Sequence, residues 1–240
     1  MPSLVVQRQG RVAVLTLNRP EHGNRLTTAL AGEVSAALRA ARDDADIGAC
    51  VLTGAGDVFC LGGDYRGAGP TDAGRNAYAD ALLAMDDAMT RLGKPLVAAV
   101  NGNAHAGGFG VVVACDLAVV ADDATLGLPE AAAGLFPFIA LATVRDALPK
   151  KVLFDLIYRA RLMGTGEALA LHVISEALPR PGVLTRAVAL AEQASAYDAR
   201  IVALGRSLYY QTRAARPIEA LEDARRALLA ALAATDRALQ

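Results

Sequence analysis

Apolar and polar positions along this chain fall first into short runs and then into helical periods. Leu4–Arg8 and Val12–Leu17 alternate or run apolar on either side of Gln9-Gly10-Arg11, which predicts a β-hairpin. A loop follows over 18–24, and Thr27 or Thr28 stands as the cap of a helix to about Asp43, with Leu30, Val34 and Leu38 on one face. Ala49–Thr53 and Leu96–Val100 read as buried strands. Between them, 65–72 is rich in Gly and Pro, and a helix is predicted from about Ala73 to Leu92, ended by Gly93-Lys94-Pro95. Gly107–Ala114 opens a helix, Asp116–Ala121 returns as a strand, and Thr125-Leu126-Gly127 is a short extended piece with Pro129-Glu130 at its end. From about Ala140 onward the pattern is helical almost to the end. Strand–helix alternation followed by helices predicts an α/β domain with a helical C-terminal part.

Composition narrows the function classes. The chain has 240 residues, 54% of them apolar and many of those alanine, so a large core is expected and intrinsic disorder is not. Aromatic residues make up 5% with no Trp, and a net charge of −1 is spread without a basic stripe, so no nucleic-acid partner is expected. No apolar run is long enough to cross a bilayer, and residues 1–8 lack the features of a signal peptide. Cys50, Cys60 and Cys115 lack C-x-x-C spacing and read as small buried thiols rather than a disulfide framework or a zinc site. A cytoplasmic protein with no membrane partner is the expectation. Phosphate-binding and dinucleotide-binding glycine motifs, the G-x-S-x-G elbow and H-E-x-x-H are all absent, so no metal site is expected.

Two glycine-rich turns carry the candidate chemistry. Phe59-Cys60-Leu61-Gly62-Gly63-Asp64 follows the strand at 49–53, and Asn101-Gly102-Asn103-Ala104-His105-Ala106-Gly107-Gly108 follows the strand at 96–100. Small residues let backbone N–H groups approach a ligand closely. Two such turns facing one another would aim two donors at a single oxygen, and each donor of an oxyanion hole is worth about 2.7–4 kcal/mol of barrier.

These residues resemble the enoyl-CoA hydratase/isomerase, or crotonase, family. Carrying the likeness in order are Leu17-Asn18-Arg19-Pro20 with Asn24-Arg25-Leu26, the first glycine turn, and Lys94-Pro95 through Asn101-Gly102 to Gly107-Gly108 and Cys115-Asp116. Gly127-Leu128-Pro129-Glu130 with Gly134-Leu135-Phe136-Pro137 comes next, and a weaker echo runs from Leu162 to Pro179. The resemblance implies a crotonase-like spiral of ββα units over residues 1–185 holding the acyl-CoA site, and a helical C-terminal oligomerisation region over 186–240. It also implies a homotrimer or hexamer and an acyl-CoA thioester substrate, with coenzyme A part of that substrate rather than a separate cofactor. By the same resemblance the N–H groups of Leu61 and Gly107 hold the thioester oxygen. The second glutamate of the family's hydratases maps onto Glu130, whereas the first maps onto Gly110, which carries no proton.

Water addition is usually helped by both carboxylates. With one absent, the expected activity is double-bond migration by the single Glu130, whose burial would raise its pKa. Alternatives are a hydratase with a replaced acid/base, an acyl-CoA decarboxylase, and a catalytically weak acyl-CoA-binding protein. His105 stands within reach of the pocket as an acid or base, a half-buried histidine satisfied by backbone being the plainer reading. Gly62, Gly63 and Asp64 belong to the binding turn, and Asp64 reads as the cap of the next helix. Arg25 maps near the position where the family touches coenzyme A, where a cation suits the phosphates. Tyr65 and Tyr78 border the Gly- and Pro-rich stretch and are candidates for the acyl pocket wall, core or surface packing being the plainer reading, and by the resemblance Phe138 replaces a small residue after Pro137.

Overall fold

The computed structural model describes residues 2–213 together with Arg225 and Arg226. In chain order the elements are β1 (Leu4–Gln9), β2 (Val12–Leu17), α1 (Thr28–Asp43), β3 (Ala49–Gly54), β4 (Val58–Cys60), α2 (Asp72–Thr90), β5 (Leu96–Val100), β6 (Asn103–His105), α3 (Gly107–Ala114), β7 (Leu117–Ala121), β8 (Thr125–Gly127), α4 (Phe138–Val144), α5 (Lys150–Tyr158), β9 (Leu162–Gly164), α6 (Thr165–Ala170), β10 (Glu176–Leu178), α7 (Val183–Ser195) and α8 (Ala199–Thr212). The predicted hairpin is present as β1 and β2, paired antiparallel from Leu4 opposite Leu17 to Gln9 opposite Val12. Thr27 caps α1, its hydroxyl accepting from the Leu30 N–H at 3.1 Å.

Two sheets divide the strands. The larger has the order β1-β2-β3-β5-β7-β10, and the smaller β4-β6-β8-β9. β3, β5 and β7 are parallel neighbours in the first sheet, and each is followed in sequence by a parallel neighbour in the second. A helix or helical turn comes next in each case, so the chain winds through three ββα turns. Continuous apolar runs make β3 and β5 fully buried, as strands covered on both faces must be.

The region after Ala140 is not helical throughout. β9 pairs antiparallel with β8, and β10 extends the large sheet beside β7. Three-residue strands are too short to interrupt a helical pattern visibly. The expected division after residue 185 falls inside α7, whose Val183, Ala187 and Ala191 are buried against β3 and β5. That helix belongs to the core. Beyond Arg213 the expected oligomerisation region lies outside the described residues, apart from Arg225 and Arg226. Among the described residues no helix is long and apolar enough to cross a membrane.

Much of the recognisable sequence holds backbone in place. Lys94 is buried, and its Nζ donates to the carbonyls of Ala41 and Asp44 at the end of α1. The buried Asn24 side chain donates to the carbonyls of Ala55 and Val58 and accepts from the Arg19 N–H. Asn101 accepts from the Gly54 N–H and donates to the Gly56 carbonyl. Asp116 accepts from the Leu96 N–H at 2.8 Å and pairs with Arg206 of α8 at 3.0 Å.

Candidate active site

The smaller sheet delivers the candidate groups side by side. The first glycine turn leaves the end of β4, the second leaves β6, and Pro129-Glu130 leaves β8, three parallel neighbours in that order. Their ends converge on a cavity of about 420 Å³ lined by Gly63, Gly107, Gly110 and Glu130, with Leu82, Met85, Met89 and Phe136 supplying apolar wall.

Leu61 does not supply the expected donor. Its N–H donates to the Gly23 carbonyl at 2.9 Å, so it is already occupied. The free donor of the first turn is two residues on. Leu26 donates to the Gly62 carbonyl at 2.9 Å and accepts from the Asp64 N–H at 2.8 Å, forming a parallel bridge around Gly63. Successive groups of an extended segment point in alternate directions, which turns the Gly63 N–H away from Leu26. That N–H has no acceptor among the described residues.

Gly107 lies close by and is free for a different reason. It is the first residue of α3, where an N–H has no partner within the helix. Its N–H also has no acceptor among the described residues. Ala106, just before it, sits at φ 56°, ψ −129°, a region a side chain rarely adopts. Its N–H donates to Gly127 at 2.8 Å, and its carbonyl accepts from Gly110 at 3.2 Å, which hold this backbone in place. Gly62, at φ 97°, lets the turns meet: a Cβ there would lie 2.6 Å from the Ala106 Cβ and 3.3 Å from the Gly107 nitrogen. The turns therefore present two neighbouring unpartnered N–H groups, one at a helix N-terminus, where negative charge is favoured.

Glu130 is half-buried, and its Oε2 is buried with no hydrogen-bond partner. Burial pushes its carboxyl above the usual range. Gly110 lines the same cavity, and a Cβ on it would meet Ala140 of α4 at 3.4 Å. No carboxylate stands at that position.

The remaining expected residues divide. Arg25 lines the cavity and donates to the Leu61 carbonyl at 2.7 Å, bracing the first turn. Leu61 itself lines the cavity with its side chain. Asp64 accepts from the Gly67 N–H and pairs with Arg19 at 3.7 Å, capping the turn after it rather than lining the cavity. Tyr65 and Tyr78 both line the cavity, and burial raises the Tyr78 phenol to about 12, so it stays protonated.

His105 lines the cavity, and burial and the nearby Arg25 lower its pKa. Asn103 Oδ1 accepts from both the Thr125 N–H and its hydroxyl, so Thr125 Oγ1 is left to accept from His105 Nε2 at 2.9 Å. This pattern makes Nε2 the donor. Burial raises the thiols of Cys50, Cys60 and Cys115, which are all free.

Sequence reasoning placed the first donor two residues early and missed Asp86, a second carboxylate in the cavity wall. A signal for Asp86 exists. It follows Leu82 by four residues and precedes Met89 by three, which puts an acid on the apolar stripe of α2.

Two unpartnered backbone N–H groups and a half-buried carboxylate line one cavity, a set of groups that can stabilise an oxyanion and move a proton. The enoyl-CoA hydratase/isomerase family model matches residues 7–238. A probable enoyl-CoA hydratase of Mycobacterium bovis is 32% identical over 241 residues, covering 92% of this chain and 91% of the relative. A carnitinyl-CoA dehydratase of Escherichia coli is 30% identical over 219 residues, covering 90% and 83%. The crystal structure of an enoyl-CoA hydratase from Mycobacterium smegmatis superposes with a TM-score of 0.92 at 26% identity, covering 97% of this chain and 91% of that one. The chain belongs to the enoyl-CoA hydratase/isomerase family and has its crotonase fold.

Proposed function

We propose that this protein is an acyl-CoA double-bond isomerase in which Glu130 carries the proton and Gly63 and Gly107 hold the thioester oxygen. The observation that supports it is the pairing of Glu130 with Gly110. One carboxylate stands beside the two donors, and its partner position is a glycine.

The chemistry follows from those groups. A 3-enoyl thioester lies with its carbonyl oxygen against the N–H groups of residues 63 and 107. Glu130, ionised, removes a proton from C2, and the electrons pass to the carbonyl oxygen as a dienolate. The two donors and the N-terminus of α3 stabilise that charge. Glu130, now neutral, returns the proton to C4, the electrons fall back, and a 2-enoyl thioester results. No water is consumed. The unpartnered Oε2 of Glu130 leaves a basic oxygen available for both transfers. The homotrimer or hexamer implied by the sequence belongs to the same proposal.

A second reading, water addition to a 2-enoyl thioester, is favoured by relatives named as enoyl-CoA hydratases, that of Mycobacterium bovis among them. Incubation with 3-enoyl-CoA and 2-enoyl-CoA, following migration and hydration separately, decides between them. Migration without hydration is the expected result. Hydration without migration would overturn the isomerase reading.

A further inference from the structure

Asp86 is a carboxylate in an otherwise apolar stretch of the cavity, and the reaction proposed above does not use it. Its neighbours there include Met85, Met89, Phe138 and Ile139. Among the described residues its carboxyl has one hydrogen bond, to the Thr143 hydroxyl at 3.5 Å, the outer limit for such a contact. Thr143 has a single proton and lies equally far, 3.5 Å, from the Ile139 carbonyl. Asp86 makes no ion pair among the described residues. The neighbouring Arg213 is engaged with Asp146 at 2.8 Å. Burial pushes the Asp86 carboxyl above its usual range, with the Thr143 hydroxyl and then Arg213 opposing that shift and Asp87 adding to it.

The position of Asp86 along the cavity gives it a meaning. α3 runs down one wall, with Gly107 at the donor end and Ala114 at the other, roughly 10 Å away at the helical rise. Asp86, Ala114, Phe138, Ile139 and Thr143 form the wall this cavity shares with a second one of about 1060 Å³. Asp86 therefore stands at the far end from the reacting carbons, where the distal part of an acyl chain would lie. An alkyl chain packed there would strip water from a carboxylate without replacing its hydrogen bonds, which is costly. A hydrogen-bond donor on the chain would replace them.

We propose that Asp86 recognises a hydrogen-bond-donating group, a hydroxyl in the simplest case, on the distal part of the acyl chain, so that the substrate is a polar-substituted acyl thioester. This rests on the reading of the cavity as the acyl-CoA site. A pocket built to bond a substrate hydroxyl rejects the analogue lacking it far more strongly than an apolar pocket rejects an added group.

The test uses the full chain and saturated medium-chain acyl-CoA esters, with and without an ω-hydroxyl, so that no turnover is needed. Calorimetric affinities are compared for the wild type, Asp86→Asn and Asp86→Leu. The wild type should bind the hydroxylated ester at least about tenfold more tightly, and Asp86→Leu should reverse that preference. Asp86→Asn, which keeps an acceptor, should fall between them. Equal binding of both esters by the wild type, at every chain length tried, overturns the role of Asp86 alone. So does a preference that survives in Asp86→Leu. If neither ester binds, the acyl-CoA reading of the cavity falls with it. Should Asp86→Leu fail to fold, the wild-type preference and Asp86→Asn decide.

Discussion

The hydroxyl of Tyr78 fills the space that a side chain on residue 63 would need: a Cβ built on Gly63 collides with Tyr78 Oη, while the ring carbon bearing it stays 3.3 Å away. Glycine at 63 and tyrosine at 78 are therefore a matched pair. Gly63→Ala should displace either the tyrosine or the turn and lower kcat/KM by about tenfold or more, part of the 10²–10³ that a lost oxyanion donor costs. Tyr78→Phe removes the colliding atom, so the double variant should recover much of that loss. A double-mutant cycle on kcat/KM measures the coupling, and strictly additive effects would contradict the pairing.

Glu130→Gln should slow proton transfer by about 10²–10⁴ while leaving CoA-ester binding largely intact. Retention of full turnover would remove Glu130 from the mechanism.

The pH dependence has a definite sign. Burial raises the carboxyl of folded Glu130, and a base must be ionised, so kcat/KM should rise with pH through a value above the ordinary ~4.3. A raised folded pKa also means that the group's contribution to stability is complete below the unfolded value and is lost as pH rises through the folded one. The thermal midpoint of Glu130→Gln should therefore exceed that of the wild type at neutral pH. The gap should close as the pH falls through the ordinary carboxylate range. A gap that widens in acid would contradict this environment for Glu130.

Gly110→Glu would place a second carboxylate on the cavity that Glu130 lines. Its Cβ would make an ordinary contact with Ala140, so the backbone of α3 need not move. Hydration of 2-enoyl-CoA should rise relative to migration. An unchanged ratio, in a variant that folds, would separate the lost glutamate from the choice of reaction.

Lys94→Met should leave the carbonyls of Ala41 and Asp44 without their buried donor, at a cost of about 1–3 kcal/mol of stability. Denaturant titration reads that loss. Because Lys94 lies away from the cavity, kcat of the folded variant should be unchanged.

The apolar runs displayed the large sheet apart from β10 because its buried strands must be apolar on both faces, as Leu96–Val100 is. The smaller sheet was hidden, since β4, β6 and β9 are three residues each and two of them lie inside or beside the glycine turns. That Glu130 and Gly107 stand on one cavity was legible from the order of the motifs. The donor of the first turn was not. Both Leu61 and Gly63 flank Gly62, and only the bonds made by Gly23 and Leu26 decide which N–H is spent and which is free. Such bonds join residues far apart in the chain, and no local pattern records them.

Lys94, Asn24 and Asn101 make the chain recognisable, and all three are spent on backbone carbonyls and N–H groups rather than on substrate. Part of the kinship thus rests on residues that hold the backbone and take no part in the proposed reaction. A substitution such as glycine at 110 changes what the cavity can do without loosening any bond that makes the fold, so descendants of one scaffold can exchange reactions while still looking like siblings.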